Sequence, residues 1–135
     1  MSTSIATGQI HHLALTVTNV RRSVDFYSGL LGFKPIMELG PRVLLYNGSM
    51  VLAITPPPDA SLALADDRFN ENRVGLDHLS FALYTKAELE DALKILNQRG
   101  IPHGEIKDLG ADLRIYVLAL RDPDNIQIEL TAPYA

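Results

Sequence analysis

Residues 10–17 read Ile-His-His-Leu-Ala-Leu-Thr-Val, and the same pattern returns at 76–83 as Leu-Asp-His-Leu-Ser-Phe-Ala-Leu. Each copy is followed by a helical pattern that ends near a glycine. Self-similarity of this kind indicates a duplicated structural unit, and it has to be recognised before single elements are assigned. Because there are only two copies, we expect a pair of modules and not a solenoid.

Both halves show the same order of elements, which is one strand, one helix and three further strands. Asn19 and Gly32 bound the first helix, while the second opens with a capping box at Thr85 and Glu88 and closes at Gly100. Asn47-Gly48 predicts a hairpin turn, and we expect Asn125 to be left-handed in the equivalent turn. The further strands are expected at 34–39, 43–46 and 50–55, then at 103–107, 115–120 and 126–131. The fold class is therefore α+β.

Composition narrows the classes of partner. The chain has 135 residues, enough for one domain, with a net charge of −4 and no basic cluster, which argues against nucleic acid or an anionic membrane. A small-molecule substrate is therefore the expected partner. There are no cysteines to form disulfides or thiolate metal sites. We expect residues 1–9 to be a disordered leader and not a signal peptide, no transmembrane span, and a cytoplasmic protein.

A single domain is expected over residues 10–135, with module one at 10–55, a linker at 56–75 and module two at 76–131. A linker of this length can fold over a site as a lid. Arg68, Phe69 and Arg73 are therefore candidate substrate contacts, and the alternative is that the linker is simply solvated.

Two histidines and one glutamate are the candidate metal ligands, namely His12, His78 and Glu129. Successive side chains of a strand point to opposite faces, so parity tests whether such residues can line one site. Each candidate shares its face with small or polar residues, and the large apolar residues lie on the other face. Those neighbours are Ala14 and Thr16 for His12, Ser80 and Ala82 for His78, and Gln127 and Thr131 for Glu129.

This pattern predicts a concave sheet whose inner face holds a ligand-lined cavity and whose outer face is covered by helices. Two imidazoles and a carboxylate leave about three octahedral positions open, an arrangement that suits Fe(II), Mn(II), Ni(II), Co(II) or Zn(II). Thr16 and Ser80 are candidate substrate contacts on that face. The alternative for any one of these histidines is a half-buried side chain bonded to the backbone.

Three other residues are candidates by chemical type. His103 is a candidate proton-transfer group, with a solvated loop histidine as the alternative. Tyr116, with Arg114, is a candidate partner for a substrate oxygen or carboxylate, and simple packing is the alternative. By parity His11 points away from the face of His12, so we do not assign it as a ligand.

With these residues the chain resembles the vicinal oxygen chelate superfamily, the group of glyoxalases, bleomycin-resistance proteins and extradiol (ring-cleaving) dioxygenases. The resemblance runs from Ile10 to Thr131 and rests on five segments. They are His12-Leu13-Ala14-Leu15-Thr16-Val17, Arg22-Ser23-Val24-Asp25-Phe26-Tyr27, Leu31-Gly32-Phe33, Asp77-His78-Leu79-Ser80-Phe81, and Arg121-Asp122-Pro123-Asp124-Asn125 followed by Ile128-Glu129-Leu130.

The resemblance implies two βαβββ modules, each an incomplete curved mixed sheet with helices outside, commonly in a homodimer. It also implies metal ligation by His12, His78 and Glu129, and Glu129 is in addition a candidate catalytic residue. Three positions depart from known members. Ala53 stands where glyoxalase I has a second glutamate, Ala119 where dioxygenases and fosfomycin-modifying enzymes carry a tyrosine, and Ala14 where fosfomycin transferases tend to have a threonine.

We therefore expect a divalent-metal enzyme with lyase or isomerase chemistry of the glyoxalase kind, acting on a small oxygen-rich substrate. Two alternatives stay open at the level of the sequence. One is an Fe(II) extradiol-type dioxygenase in which His103 or Tyr116 replaces the usual proton-transfer groups. The other is a non-catalytic protein that binds a small molecule such as an antibiotic.

Overall fold

The computed structural model describes residues 3–135, so the first two residues of the predicted leader lie outside it; residues 3–9 form no helix or strand. The chain divides into two compact units, Met1–Ala65 and Asp66–Ala135. We call them the first and the second unit. The division falls within the predicted linker, so the linker's second half belongs to the second unit.

The first unit contains β1 (His12–Thr16), α1 (Val20–Leu31), β2 (Lys34–Leu39), β3 (Arg42–Tyr46) and β4 (Val51–Thr55). Its sheet has the order β1-β4-β3-β2. β1 runs parallel to β4, and the other two pairs are antiparallel. A short 3-10 helix, Ala60–Leu62, follows the sheet.

Local signals place α1 and the following hairpin where they were predicted. The Asn19 side chain accepts a hydrogen bond from the Arg22 amide at 3.0 Å, which satisfies one of the amides left free at a helix start. Gly32 ends the helix at φ +74°, a conformation that costs glycine little. In the β3–β4 turn the Asn47 side chain accepts from the amides of Ser49 and Met50, both at 2.9 Å.

The second unit repeats this plan with β5 (Leu79–Ala82), α2 (Lys86–Gln98), β6 (Lys107–Asp108), β7 (Ile115–Arg121) and β8 (Gln127–Pro133). A short helix, α3 (Gly110–Leu113), lies between β6 and β7. The sheet order is β5-β8-β7-β6, with β5 parallel to β8. Asn125 takes φ +67° in the β7–β8 turn, which confirms its predicted left-handed conformation.

The capping box of α2 forms with one difference from the prediction. Thr85 accepts from the Glu88 amide at 3.2 Å, as expected. The Glu88 carboxylate, however, accepts from the amide of Tyr84 at 3.3 Å and not from that of Thr85. Gly100 is left-handed at φ +64°, next to the end of the helix.

The strand predicted at 103–107 was wrong. His103 forms a single bridge with Leu120, and β6 covers only two residues. Pro102 has no amide hydrogen, and Gly104 has no side chain to pack on a sheet, so this segment is a poor strand former. It still runs beside β7, because the Gly104 amide donates to the Ala119 carbonyl at 2.9 Å and the Arg121 amide donates to the Pro102 carbonyl at 3.0 Å.

The core of each unit lies between its sheet and its helix. α1 contacts β3 and β4, and α2 contacts β7 and β8. The buried strand residues that define this side are Leu15, Leu45, Leu52 and Ile54 in the first unit and Leu118, Leu120, Ile128 and Leu130 in the second. Each such side chain contributes about 1.5–3 kcal/mol when fully buried. The observed fold is the predicted α+β pair of βαβββ modules.

Candidate metal centre

Glu129 lies on the sheet face of the second unit that is turned away from its buried core. It is in register with Ser80 of β5 and with Ala119 of β7. Residues directly opposite each other in a sheet point to the same side, so these three side chains share one face. Ser80 also contacts Thr131 on that face, with the two hydroxyl oxygens 2.6 Å apart.

His78 immediately precedes β5 and meets Glu129. Its Nε2 lies 3.7 Å from Oε1 of Glu129, and the two side chains are 38% and 20% exposed. On the other side of the ring, Nδ1 lies 2.7 Å from Oδ1 of Asp77. The Gln127 amide donates to the same Asp77 oxygen at 3.2 Å. A carboxylate accepts hydrogen bonds and donates none, so in the neutral imidazole Nδ1 carries the hydrogen and Nε2 is left with its lone pair.

The donor set of His78 and Glu129 fits a divalent ion. A metal-bound imidazole nitrogen or carboxylate oxygen lies about 2.0–2.2 Å from the ion, so two donors to one ion stand at most about 4.3 Å apart. The observed 3.7 Å satisfies that limit. Within residues 3–135 no group of three or more His, Asp or Glu side chains is gathered closely enough to hold an ion. The triad with His12 therefore stays a prediction, and the pair is what the structure brings together.

His12 and Thr16 are the first and last residues of β1 in the first unit, and both are exposed. Nδ1 of His12 lies 2.9 Å from Nδ1 of His11. The register Ala14–Ala53 in this unit corresponds to Ser80–Glu129 in the second. Ala53 thus occupies the position of Glu129, as the sequence repeat predicts, and the first unit has no carboxylate there.

His103 is engaged by groups of its own unit. Its Nδ1 lies 2.5 Å from the Gly104 carbonyl and its Nε2 lies 2.6 Å from Oδ1 of Asn97. A neutral imidazole has one ring hydrogen and can donate to only one of these two oxygens. Both contacts lie within the segment from α2 to Gly104. The proton-transfer role of His103 remains a prediction.

Tyr116 lies on the opposite face of its sheet from Glu129, because it is in register with the buried Ala132. Its ring stacks on Tyr134 with 4.9 Å between centroids, and Lys86 lies 5.0 Å above it. Arg114 lies over the Tyr134 ring at 5.3 Å. The structure thus places Tyr116 and Arg114 in a cluster at the end of the chain and does not bring them to Glu129.

That cluster also contains a hydrogen bond from the Tyr134 hydroxyl to Asp108. This bond lowers the pKa of Asp108 and raises the pKa of Tyr134, because it favours the ionised carboxyl and the protonated phenol. The cluster fastens the end of the chain to the second sheet.

The linker residues nearest the second sheet are held to the β7–β8 turn. The Phe69 amide donates to the Asp124 carbonyl at 2.9 Å, and the Asn125 side chain donates to the Phe69 carbonyl at 3.0 Å. Arg121 donates to both carboxyl oxygens of Glu71, at 2.5 and 3.2 Å. Phe69 is half-buried here and Arg68 is exposed. Their substrate contacts remain predictions.

The Arg121–Glu71 hydrogen bonds hold the pKa of Glu71 at about 2, well below its ordinary value. The same bonds raise the pKa of Arg121, and the negative charges of Glu71 and Asp77 act in the same direction. Arg121 is thus paired with Glu71 of the linker and is also within the electrostatic influence of Asp77, the residue before His78.

Two residues of this centre were not assigned from the sequence, namely Asp77 and Gln127. Both had a usable signal. Asp77 directly precedes a candidate ligand, and Gln127 shares the strand and the parity of Glu129. Neither was assigned because Asp77 has the opposite strand parity to His78 and the side-chain amide of Gln127 is not a preferred ligand of these metals.

The match to a family model covers residues 9–130 and is described as the glyoxalase/bleomycin resistance protein/dioxygenase superfamily. The chain belongs to this superfamily. It is 25% identical over 123 residues to metallothiol transferase FosB of Staphylococcus saprophyticus, covering 90% of this chain and 74% of that protein. It is 29% identical over 124 residues to catechol-2,3-dioxygenase of Bacillus subtilis, covering 91% of this chain and 41% of that protein.

A solved structure shows the same architecture. The lactoylglutathione lyase from Agrobacterium tumefaciens superposes with a TM-score of 0.72 at 23% identity, covering 93% of this chain and 94% of that one. This likeness establishes the glyoxalase-like fold. Metal-dependent lyases, dioxygenases and transferases all occur in the superfamily. No helix within residues 3–135 is long and apolar enough to cross a membrane.

Proposed function

We propose that the protein is a divalent-metal enzyme of glyoxalase-like lyase or isomerase type, acting on a small substrate with adjacent oxygens. The observation that carries this proposal is the approach of His78 Nε2 to Glu129 Oε1 at 3.7 Å. Because the hydrogen on His78 Nδ1 is bonded to Asp77, His78 Nε2 and Glu129 Oε1 face each other with lone pairs. A cation bound between these two acceptors would stabilise them. We assign His12 as the third ligand on the strength of the repeat.

The residues around this pair suit an oxygen-rich substrate. A divalent ion held there would supply Lewis-acid stabilisation of negative charge on the substrate oxygens. Ser80 and Thr131 present hydroxyls on the same face for hydrogen bonds to the substrate. Glu129 has a second carboxyl oxygen, which we assign as the acceptor of a substrate proton.

One position favours this chemistry over that of the rival members. Ala119 lies directly beside Glu129 in the β7–β8 register, and the resemblance puts the tyrosine of dioxygenases and fosfomycin-modifying enzymes there. A methyl group can neither donate a hydrogen bond nor move a proton. The Fe(II) dioxygenase is retained as a second candidate, because the chain is 29% identical to a catechol dioxygenase over 124 residues.

The test is the metal content of protein purified without added metal. We expect about one divalent ion per chain by elemental analysis for Fe, Mn, Ni, Co and Zn, and its loss in His78→Ala with an unchanged circular dichroism spectrum. His103→Ala is the matched control, since its ring is used in hydrogen bonds away from Glu129. Equal metal content in wild type and His78→Ala would overturn the proposal.

The lyase or isomerase and the Fe(II) dioxygenase are then distinguished by whether the protein consumes oxygen. After anaerobic loading with Fe(II), oxygen consumption is measured with catechol-type substrates. We expect none. Consumption that disappears in His78→Ala would assign the second candidate instead.

A further inference from the structure

The residue that precedes each candidate histidine ligand contacts the Nδ1 of that histidine. In the second unit this residue is Asp77, whose Oδ1 lies 2.7 Å from His78 Nδ1. In the first unit it is His11, whose Nδ1 lies 2.9 Å from His12 Nδ1. An imidazole nitrogen can donate or accept, but a carboxylate only accepts. The contact in the second unit therefore selects one tautomer, whereas the contact in the first unit allows either of two.

Asp77 is itself held in place from β8. The side-chain amide of Gln127 donates to Asp77 Oδ1 at 3.2 Å and to the Asp77 carbonyl at 3.4 Å. Gln127 is two residues before Glu129 and has the same parity. A single strand thus carries the carboxylate that faces His78 and the amide that fixes the aspartate behind it.

The tautomer matters because of what lies on the other side of the ring. With hydrogen on Nδ1, the lone pair of Nε2 is directed toward the side where Glu129 Oε1 lies at 3.7 Å. With hydrogen on Nε2, that nitrogen could bond to Glu129 but could not bind an ion. Outer partners of this kind orient histidine ligands and raise their basicity.

We propose that Asp77, held by Gln127, is a positioning residue that keeps His78 in the Nδ1–H tautomer with Nε2 free toward Glu129. The inference rests on the proposed metal centre for its purpose, but the tautomer itself is a property of the metal-free protein. Asp77 does not touch the substrate position; it acts through His78.

The first measurement uses metal-free protein and long-range nitrogen–proton NMR of the histidine rings, which distinguishes the two tautomers. We expect His78 to be predominantly Nδ1–H in wild type, and to become a mixture in Asp77→Ala. Asp77→Asn retains a side-chain oxygen and should restore most of the Nδ1–H form. Asp91→Ala, an exposed aspartate on α2, is the matched control and should leave the His78 signals unchanged.

The second measurement is titration of metal-free protein with Co²⁺, followed by its visible absorption. We expect the affinity to fall by about 10–100-fold in Asp77→Ala and to be largely restored in Asp77→Asn. Identical His78 tautomers in wild type and Asp77→Ala, or identical Co²⁺ affinities, would overturn the positioning role. If wild type bound no Co²⁺ but the tautomer responded as expected, the metal centre would be wrong and the positioning of His78 would stand.

Discussion

The two units have one topology but two different polar faces. Helix-facing positions keep their character between the copies, as Leu52 and Ile128 or Leu15 and Phe81 illustrate. On the other face the character of a position can change, since Ala53 occupies in the first unit the position that Glu129 occupies in the second. Burial of apolar area drives folding, so each copy has to retain its apolar side. At this pair of positions the second unit therefore carries a carboxylate and the first carries only a methyl group.

The difference extends to the partners of the histidines. His78 is backed by Asp77 and faces Glu129, whereas His12 is backed by a second imidazole. The second unit therefore contains two candidate donors in contact with each other, and the first unit contains one candidate, His12. We expect the units to respond alike to changes in their cores and differently to changes in their polar contacts.

The largest effect is expected from the equivalent core residues Leu52 and Ile128, both fully buried. Leu52→Ala and Ile128→Ala should each lower the free energy of unfolding by about 2–5 kcal/mol, from lost burial and the cavity left behind. Urea unfolding measures this, with the exposed Leu62→Ala as control. A loss below about 1 kcal/mol for either variant would contradict the equivalence of the two cores.

A smaller effect of opposite sign is expected at Ser23. It is the fourth residue after its helix cap, as Leu89 is in α2, and both are fully buried. The Ser23 hydroxyl makes no hydrogen bond within residues 3–135. Ser23→Ala should therefore raise the free energy of unfolding by about 0.5–1 kcal/mol, since alanine also favours helix. Thermal unfolding tests this, with the exposed turn variant Ser49→Ala as control; a lower Tm for Ser23→Ala would refute it.

The smallest effect concerns the Glu71–Arg121 pair, which joins two residues of the second unit. Folding lowers the pKa of Glu71 from 4.5 to about 2, so the pair stabilises the fold above pH 4.5 and loses that contribution as the pH falls toward 2. Glu71→Gln should be less stable than wild type at pH 6 and should converge with it near pH 2.

Urea unfolding at several pH values measures this convergence. Glu90→Gln, which removes an exposed ion pair with Lys86 on α2, is the control and should show little change at any pH. A constant difference between Glu71→Gln and wild type from pH 6 to pH 2 would argue against the pair.

Elements with local signals were predictable from the sequence. Caps at Asn19 and Thr85, the helix end at Gly32 and the left-handed Asn125 depend on a few neighbouring residues, and all four were confirmed. The strand expected at 103–107 failed because strand formation depends on pairing, and the residues around Pro102 pair at one position only. The flanking Ile101 and the internal Ile106 have strand character and do not indicate this failure.

The candidate site was predictable only in part. Parity correctly placed Glu129 with Ser80 on one face, because alternation is a property of any strand. By the same alternation Tyr116, three residues from Ala119, lies on the other face of the sheet, as the structure shows. The contact between Gln127 and Asp77 joins residues 50 positions apart, and no pattern along the chain reveals such a pair.

The tight turn between β7 and β8 has one more consequence. It sets the register in which Glu129 of β8 is opposite Ala119 of β7. A one-residue insertion there, if absorbed as a slip of β8, would turn Glu129 into the apolar interior and bring Ile128 or Leu130 outward. His78, which precedes β5, would stay where it is. The number of residues in this turn therefore decides whether the Glu129 carboxylate lies on the side of His78 or in the apolar core.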